Sequence, residues 1–276
     1  MKNPLKKILK PLKKYTKGLA TNSQSSIVRP LYLAYDLFIK RYGREYFSQF
    51  GEDIVLDNIF GHKKGGFYVD VGCYHPKHWS NTYLMHKRKW TGINIDIDEF
   101  KVKMFNIARK NSINICSAVS NEEKDINYYC SRDYSPVNTL DQNFAEGMAS
   151  KKPRVNYELK RTKSRQLDKI ILETKFCETE IDLLSIDVEG HELPVLQSLN
   201  FQVYKPKVLV IELHEEKIEE ILKTKLYEFI TAKQYSLYSW VKPSLIFVRN
   251  DYKADSAVVT SGKTKVYDEV LRSSPK

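Results

Sequence analysis

Short apolar runs alternate with amphipathic segments from residue 47 onward. The segments have apolar residues at helical spacing, as in FSQFGEDIVLDNIF (47–60), which Ser48 could cap, and DEFKVKMFNIARKN (98–111). Because a helix separates most consecutive strands, the pattern predicts a parallel, doubly wound α/β sheet. The predicted buried strands are FYVDV (67–71), GINIDID (92–98), INICSAVS (113–120), IDLLSID (181–187) and KVLVIEL (207–213).

The alternation lapses between Asn121 and Thr179. There, DINYYC and RVNYELKRTK are typical of exposed strands, and SRQLDKIILE has helical spacing. A long amphipathic helix is predicted at 215–233, and two strand-like runs around Lys242-Pro243 indicate a hairpin. The chain then divides into a basic N-terminal extension (1–45), one folded domain (46–250) with a variable insertion (121–160), and a polar C-terminal tail (251–276).

The net charge of +11 on 276 residues is typical of a nucleic-acid-binding protein, but its distribution is not. Residues 1–35 contain seven lysines and Arg29 with no acid before Asp36, which amounts to +8. The rest of the chain is therefore close to neutral, and we expect no nucleic-acid partner. With 42% hydrophobic residues, the chain can bury one good core.

The N-terminal stretch MKNPLKKILKPLKKYTKG has a narrow apolar stripe between lysines. Pro11 would break a helix there, so at most two short helical pieces can form. One interpretation is that residues 1–20 bind an anionic membrane surface, where each basic residue contributes ~1 kcal/mol. The other is a solvated, disordered tail. The apolar stripe consists of Leu5, Ile8, Leu9 and Leu12.

The cysteines and the absence of long apolar runs indicate the compartment. The four cysteines have no CxxC spacing, which favours a reduced, intracellular protein without a zinc site. No apolar run approaches the ~18–20 residues that span a bilayer. We expect a cytoplasmic protein, peripheral at the inner face of the membrane if residues 1–20 bind lipid.

Polar groups follow the apolar stretch at five predicted strand ends. A single acid at such a position is usually a helix cap or a turn former. A series of them predicts a ligand cleft, because open α/β sheets bind ligands beyond the carboxyl ends of their strands. The groups are Asp70 with Gly72, Asp96 with Asp98, Ser117 with Ala118, Asp187 with Glu189, and Glu212 with His214.

The first of these ends, in GFYVDVGCYHPKHWSN, has one glycine where a dinucleotide fingerprint has three. Gly72 allows a sharp turn, but Tyr74 and Lys77 occupy the places of the later glycines, which serve a pyrophosphate. A ligand with an adenosine and no phosphates needs only the first glycine. It also needs an acid for the ribose hydroxyls, and Asp96 follows Gly72 by 24 residues. S-adenosylmethionine fits this description.

Several motifs resemble the FkbM-like branch of S-adenosylmethionine-dependent methyltransferases, in order, over residues 46–250. They are FSQFGEDIVL (47–56), FYVDVGCYHPKHWSNTYLM (67–85), GINIDID (92–98), LLSIDVEGHELPVL (183–196) and KPKVLVIELH (205–214). The resemblance implies a seven-stranded, Rossmann-like sheet ending in an antiparallel hairpin. It also implies O-methylation of a hydroxyl, commonly on a sugar of a glycan in polysaccharide biosynthesis. Cys73 departs from the usual small residue. Residues 121–160 match no motif of the family, and we expect this insertion to face the acceptor and to determine its choice.

The resemblance also implies a cofactor site. The first strand end and the HPKHWSNT loop (75–82), called the motif loop below, would contact the methionine part of the cofactor. Asp96 would bind the ribose, and the third strand end would contact the adenine. Alternatives are simple N-capping for residues 80–82 and solvent exposure for Gln49. The implied cofactor-binding residues are Gln49, Asp70, Gly72, Ser80, Asn81, Thr82, Asp96, Ala118 and Asp187.

Methyl transfer to a hydroxyl needs the acceptor in line with the methyl group and a group that activates the oxygen. The candidate bases are His214, Asp187, Glu189 and His75. Alternatively, Asp187, Glu189, Glu212 and His214 could together hold Mg²⁺ or Mn²⁺. We expect His214 to act as a base without a metal, because no compact carboxylate cluster is evident in the sequence.

Two other classes of function remain open. One is an oxidoreductase or dehydratase of nucleotide sugars with a nicotinamide cofactor, which the missing glycines disfavour. The other is a non-catalytic, membrane-associated binding module of the same fold. Acids at the ends of most predicted strands argue against a fold that has lost its site.

Overall fold

The computed structural model describes residues 28–39, Gly43 and 45–253. The segment predicted to bind membranes (1–20) and most of the predicted tail (251–276) lie outside these residues. No helix among the described residues is both long enough and apolar enough to cross a bilayer.

Contacts divide the chain into two units, Met1–Glu45 and Tyr46–Lys276. The first contains helix α1 (Val28–Ala34), which continues as a π-helical turn at Tyr35–Ile39. Large apolar side chains of this segment are exposed, namely Leu31, Leu33, Leu37 and Phe38.

The second unit contains the strands and the other helices. In chain order the strands are β1 (Phe67–Val71), β2 (Thr91–Asp96), β3 (Ile113–Cys116), β4 (Ala118–Val119), β5 (Asp125–Cys130), β6 (Glu158–Arg165), β7 (Leu183–Ile186), β8 (Val208–Glu212), β9 (Tyr235–Val241) and β10 (Ser244–Arg249). The helices are α2 (Glu52–Ile59), α3 (Tyr83–Lys87), α4 (Glu99–Ala108), α5 (Gln142–Lys151), α6 (Leu167–Leu172), α7 (Glu192–Gln197), α8 (Ile218–Ile221) and α9 (Lys225–Ala232).

Seven strands form the main sheet in the order β3-β2-β1-β7-β8-β10-β9. The first five of these are parallel, and β10 pairs antiparallel with both β8 and β9. The predicted doubly wound sheet and C-terminal hairpin are therefore confirmed. Successive residues of β1 face opposite sides, so Val69 packs into one apolar cluster and Tyr68 into another. Because both faces are covered, the strands are apolar at nearly every position.

The predicted third strand (113–120) divides at Ser117. Residues before it pair with β2 in the main sheet, whereas β4 pairs with β6 in a second sheet of order β4-β6-β5. The exposed strands predicted around 121–179 are thus present. They anchor the insertion beside the carboxyl ends of the main sheet.

Two predicted helix boundaries differ from the structure. Ser48 does not cap α2, which begins after Gly51 at a φ of 97°. The Ser48 hydroxyl instead donates to Asp53 Oδ1 at 2.8 Å and accepts from the Gly51 amide at 3.1 Å. The long helix predicted at 215–233 is two short ones, because Thr224 Oγ1 accepts from Tyr227 N and starts α9.

Candidate active site

A cavity of about 310 Å³ opens at the carboxyl ends of β1, β2, β7 and β8. Its volume lies within the ~300–1,000 Å³ typical of small-molecule sites. The insertion forms the outer wall through residues 136–140, Met148 on α5 and Lys152 just after it. The sheet therefore supplies the floor, and the segment predicted to face the acceptor supplies the cover.

The cavity brings together most of the predicted site residues. Those that line it are Gln49, Gly72, Asp96, Ala118, Asp187, Glu189, Glu212 and His214. Those that do not are Asp70, His75, Ser80, Asn81 and Thr82. The predicted ribose, adenine and base positions thus share one cavity, whereas the polar side chains of the motif loop do not reach it.

Gly72 makes the predicted turn at the end of β1. Its φ is 81°, in the left-handed region that favours glycine. A Cβ at this position would lie 1.7 Å from the carbonyl oxygen of Asp187. The Gly72 amide also donates to Ile95 O at 2.8 Å. The glycine therefore lets the ends of β1, β2 and β7 meet at the floor of the cavity.

Asp96 lies at the end of β2 and forms a buried ion pair. Its Oδ1 accepts from the Asp98 amide at 2.9 Å, and its Oδ2 accepts from the Tyr74 amide at 3.2 Å. Lys101 Nζ donates to the same Oδ2 at 3.3 Å, and the two side chains are only 5% and 3% exposed. A carboxylate has about four acceptor sites, so one remains for a ribose hydroxyl.

The wall beyond Asp96 is apolar. Ile97, Ala118 and Val119 line the sheet side, and Pro136 and Leu140 line the insertion side. Apolar surfaces on two sides suit the faces of a purine ring. Together with the free acceptor site of the β2 carboxylate, they fit an adenosine, and the single-glycine turn leaves no cradle for a pyrophosphate.

Asp70, Ser80 and Thr82, which we predicted to contact the methionine part of a cofactor, are buried and do not line the cavity. Thr82 is fully buried, and its Oγ1 donates to Asp70 Oδ2 at 2.6 Å. Asn81 Nδ2 donates to Ser185 Oγ at 3.2 Å, and Thr82 makes no side-chain cap for α3. Burial raises the pKa of Asp70 to about 6. These side chains hold the motif loop against β1 and β7.

Arg109 completes this network, and the sequence reasoning missed it. It is fully buried, and its Nε and Nη2 both donate to Pro76 O, at 3.1 and 2.7 Å. Nη1 donates to Tyr68 OH at 2.8 Å, and Nη2 reaches Ser80 Oγ at 3.2 Å. In NIARKN, Arg109 could not be told from the exposed Lys110, because both lie in the polar last turn of the predicted helix (98–111).

The DVEG sequence forms a tight left-handed turn between β7 and α7. Glu189 has a φ of 55° and Gly190 a φ of 100°. Glu192 Oε1 accepts from the amides of Val188 and Gly190, at 3.2 and 3.0 Å. Thr139 Oγ1 donates to Glu189 O at 2.6 Å, so the insertion also holds this turn. The turn directs the Glu189 side chain toward the end of β8.

At that end of the cavity, four titratable groups converge. His214 Nε2 lies 3.1 Å from Glu189 Oε2 and 3.8 Å from Glu212 Oε1. Hydrogen bonding to Glu189 raises the pKa of His214. Burial raises the pKa of Glu212 to about 7 and that of Asp187 well above its usual range, and these two carboxyls share a hydrogen bond. The negative charge of Glu212 also contributes to the raised pKa of Asp187.

Three of these groups also have the arrangement of metal ligands. Ligand atoms of Glu189, Glu212 and His214 all lie within 4.8 Å of one another. The expectation of a metal-free base rested on the lack of an evident cluster in the sequence. The structure removes that ground, because residues far apart in sequence meet at adjacent strand ends. The two carboxylates of this set suit Mg²⁺ or Mn²⁺, whereas an imidazole ligand is typical of transition metals.

His75, the remaining predicted base, serves its own loop. Its Nδ1 accepts from the amides of Lys77 and His78, at 3.0 and 2.9 Å, and burial lowers its pKa. Its ring lies 6.2 Å from that of Tyr134 in an aromatic group. Of the predicted bases, those in the cavity are Asp187, Glu189 and His214.

The fold and the site together define a class of protein. A seven-stranded, mostly parallel sheet with an antiparallel C-terminal hairpin has, at its carboxyl edge, a cavity with apolar walls and a buried carboxylate that ends in an acid–histidine cluster. These are the features of a Rossmann-like, S-adenosylmethionine-dependent methyltransferase.

The family follows from the comparison of sequences. The methyltransferase FkbM domain matches residues 70–237, more than half of the chain, and the protein belongs to that family. Among solved structures, it is similar to a TehB-like SAM-dependent methyltransferase from Corynebacterium glutamicum, with 12% identity and a TM-score of 0.38 over 86% of this chain and 99% of that one. No curated protein matches the chain significantly.

Proposed function

We propose that this methyltransferase transfers a methyl group from S-adenosylmethionine to a hydroxyl oxygen, most simply that of a sugar in a glycan or glycoconjugate. The observation that carries the proposal is the His214–Glu189 pair at the far end of the cofactor cavity. A hydroxyl is a weak nucleophile that must lose its proton during transfer, and a histidine oriented by a carboxylate can take it. Membership of the family favours this function over the oxidoreductase and the non-catalytic module.

Each group of the site has a role in this reaction. S-adenosylmethionine supplies an activated methyl group on a sulfonium. Asp96 would accept from a ribose hydroxyl, and the walls around Ala118 would hold the adenine. With Nε2 donating to Glu189, neutral His214 has its lone pair on Nδ1, which would accept the acceptor's proton while the acceptor oxygen gains the methyl carbon and the C–S bond breaks to leave a neutral thioether. Asp187 and Glu212 make the surroundings of the transferring methyl group negative.

The test compares chemistry with cofactor binding. We expect His214→Ala to lower kcat by ~10²–10⁴-fold, because it removes the base, and to leave S-adenosylmethionine affinity in a calorimeter nearly unchanged. His78→Ala, in an exposed part of the motif loop, is the matched control. Mass spectrometry of glycans from wild type and from a deletion strain identifies the acceptor as the glycan that lacks one methyl group in the deletion strain. Equal kcat in His214→Ala and wild type would contradict the proposal.

The same activity assay, run in the presence of EDTA, tests the alternative in which a metal activates the acceptor hydroxyl. We expect EDTA to leave activity unchanged, since a base is sufficient for an acceleration of this size. Loss of activity in EDTA, with recovery on adding Mg²⁺ or Mn²⁺, would replace the base by a metal held by Glu189, Glu212 and His214. In that case the metal, and not the imidazole, would lower the pKa of the acceptor hydroxyl.

We also propose that the N-terminal extension attaches the enzyme to an anionic membrane surface, which would place it at the inner face of the membrane. Residues 1–20 carry seven lysines and no acid. The exposed apolar side chains of α1 and its π-helical turn, such as Leu37 and Phe38, extend the apolar surface that could enter the lipid interface. The absence of a nucleic-acid partner stays a prediction.

A further inference from the structure

We propose that a groove beside the cofactor cavity holds the acceptor, and that its basic rim selects a carbohydrate with an anionic substituent, either a carboxylate or a phosphate. The inference rests on the proposed function, since it specifies the acceptor class. We call this feature the acceptor groove, and it is formed by one face of α5, the loop after β8, and the β9–β10 turn. Its volume is about 330 Å³.

The acceptor groove and the cofactor cavity meet at two residues, His214 and Met148. The donor and the acceptor of an in-line transfer must approach the base from different directions. We assign the cavity with the apolar walls around Ala118 to the cofactor. The groove that reaches His214 from outside is therefore placed to bring the acceptor hydroxyl to the same imidazole.

The surface of the groove combines apolar and polar parts in the way a sugar requires. The Phe144 ring lies 5.5 Å from the His214 ring at an interplanar angle of 30°, and Pro243 adds a second apolar surface. Such surfaces suit the C–H face of a pyranose. Asn143, also in the wall, offers an amide to its hydroxyls.

The charges of the groove are divided between its inner end and its rim. Glu189 and Glu212 line the cofactor cavity beside His214, just beyond the inner end of the groove, and would repel an anion there. At the rim, Lys242 is paired with Glu216, whereas exposed Lys151 forms no ion pair with any described residue. An anionic substituent would therefore bind at the rim, away from the hydroxyl that is methylated.

Gly147 provides a steric test of the groove. It lies in the groove wall, and an added Cβ there meets no atom within 4 Å. A tryptophan at this position would extend into the groove without disturbing α5, because almost any residue is a better helix former than glycine. Gly147→Ala is the matched control, and Gly147 does not line the cofactor cavity.

The experiment uses full-length protein, S-adenosylmethionine with a tritiated methyl group, and carbohydrate from a deletion strain separated by anion exchange into neutral and acidic fractions. We expect label in the acidic fraction, and loss of transfer in Gly147→Trp with cofactor affinity unchanged. Lys151→Gln should raise KM for the acidic acceptor by ~tenfold without a matching fall in kcat. Lys110→Gln, an exposed lysine outside the groove, should change neither value.

Chemical treatment of the acidic fraction distinguishes the two sources of the anion. Carbodiimide activation of carboxyl groups followed by borohydride reduction would abolish labelling of a uronate, and phosphatase would abolish that of a phosphate monoester. Equal labelling of the neutral fraction would overturn the anionic acceptor, and full activity in Gly147→Trp would overturn the groove. If wild type binds S-adenosylmethionine but labels no carbohydrate, the proposed function itself fails.

Discussion

The buried Arg109 is the part of the site whose removal has the most specific consequences. Arg109→Met deletes both hydrogen bonds to the Pro76 carbonyl and one to the Tyr68 hydroxyl. A buried polar group left without a partner costs ~1–3 kcal/mol, and breaking a buried charged network costs ~3–5 kcal/mol. We therefore expect a loss of ~3–5 kcal/mol, a large part of the ~5–15 kcal/mol that stabilises a typical domain.

The same substitution has a pH signature through Asp70. Burial raises the pKa of that carboxyl to about 6, and the charge of Arg109 opposes the rise. Without the guanidinium, the folded-state pKa of Asp70 increases further above its unfolded value. A carboxyl with a raised folded-state pKa makes the fold less stable as pH increases through the interval between the two values. The stability deficit of Arg109→Met should therefore be larger at high pH than at low pH.

The assay is urea unfolding followed by far-ultraviolet circular dichroism, at about pH 8 and about pH 5.5. Arg109→Lys, which keeps the charge but not the forked donors, should lose an intermediate amount. Lys110→Met, at the exposed neighbouring position, should change stability by less than ~0.5 kcal/mol. A deficit below ~1 kcal/mol for Arg109→Met, or the same deficit at both pH values, would refute the reasoning.

Three further predictions test other parts of the molecule. Asp96→Asn should weaken S-adenosylmethionine binding by ~10–100-fold in a calorimeter. We prefer it to Asp96→Ala, because alanine would also remove the carboxylate that accepts from buried Lys101. Hydrogen bonding to Glu189 raises the pKa of His214, so Glu189→Gln should move the acidic limb of the kcat profile to lower pH, and an unmoved limb would exclude His214 as the base. Deleting residues 1–20 should reduce cosedimentation with phosphatidylserine vesicles at low salt but leave turnover unchanged, and equal binding would exclude the membrane role.

The sheet was predictable because its strands are buried on both faces. A run such as FYVDV predicts a strand that is buried on both faces. The helices between such runs predict that the strands are parallel. The break at Ser117 was not predictable, because INICSAVS has strand-forming residues on both sides of that serine and no glycine or proline to mark an interruption. Only the pairing of Ala118 with Ser164 shows that its end leaves the main sheet for the insertion.

The site was predictable as far as strand ends determine it. Glu212 and His214 alternate around Leu213, and their side chains do share one face of the cavity. Asp70 shows the limit of this reasoning, because it points to the same side of β1 as buried Tyr68 and bonds to Thr82 there. The position of a residue along a strand predicts the face of the sheet on which its side chain lies. It does not predict whether other elements cover that side chain.

The charges of the acid–histidine cluster suggest why the base and the carboxylates occur together. Among the residues that the structure describes, His214 is the one basic side chain within ion-pair distance of Glu189 and Glu212, and it is charged only when protonated. Carboxylates alone would favour the cationic sulfonium of the bound cofactor and so oppose a reaction that removes its charge. In the proposed reaction, however, His214 would take the acceptor's proton, and the positive charge would then lie on the imidazole, still beside Glu189. The charge would stay within the same cluster, so the attraction of the carboxylates for positive charge would be kept during transfer. A base far from these carboxylates would not gain this attraction when it became positively charged, even if its pKa were close to the working pH.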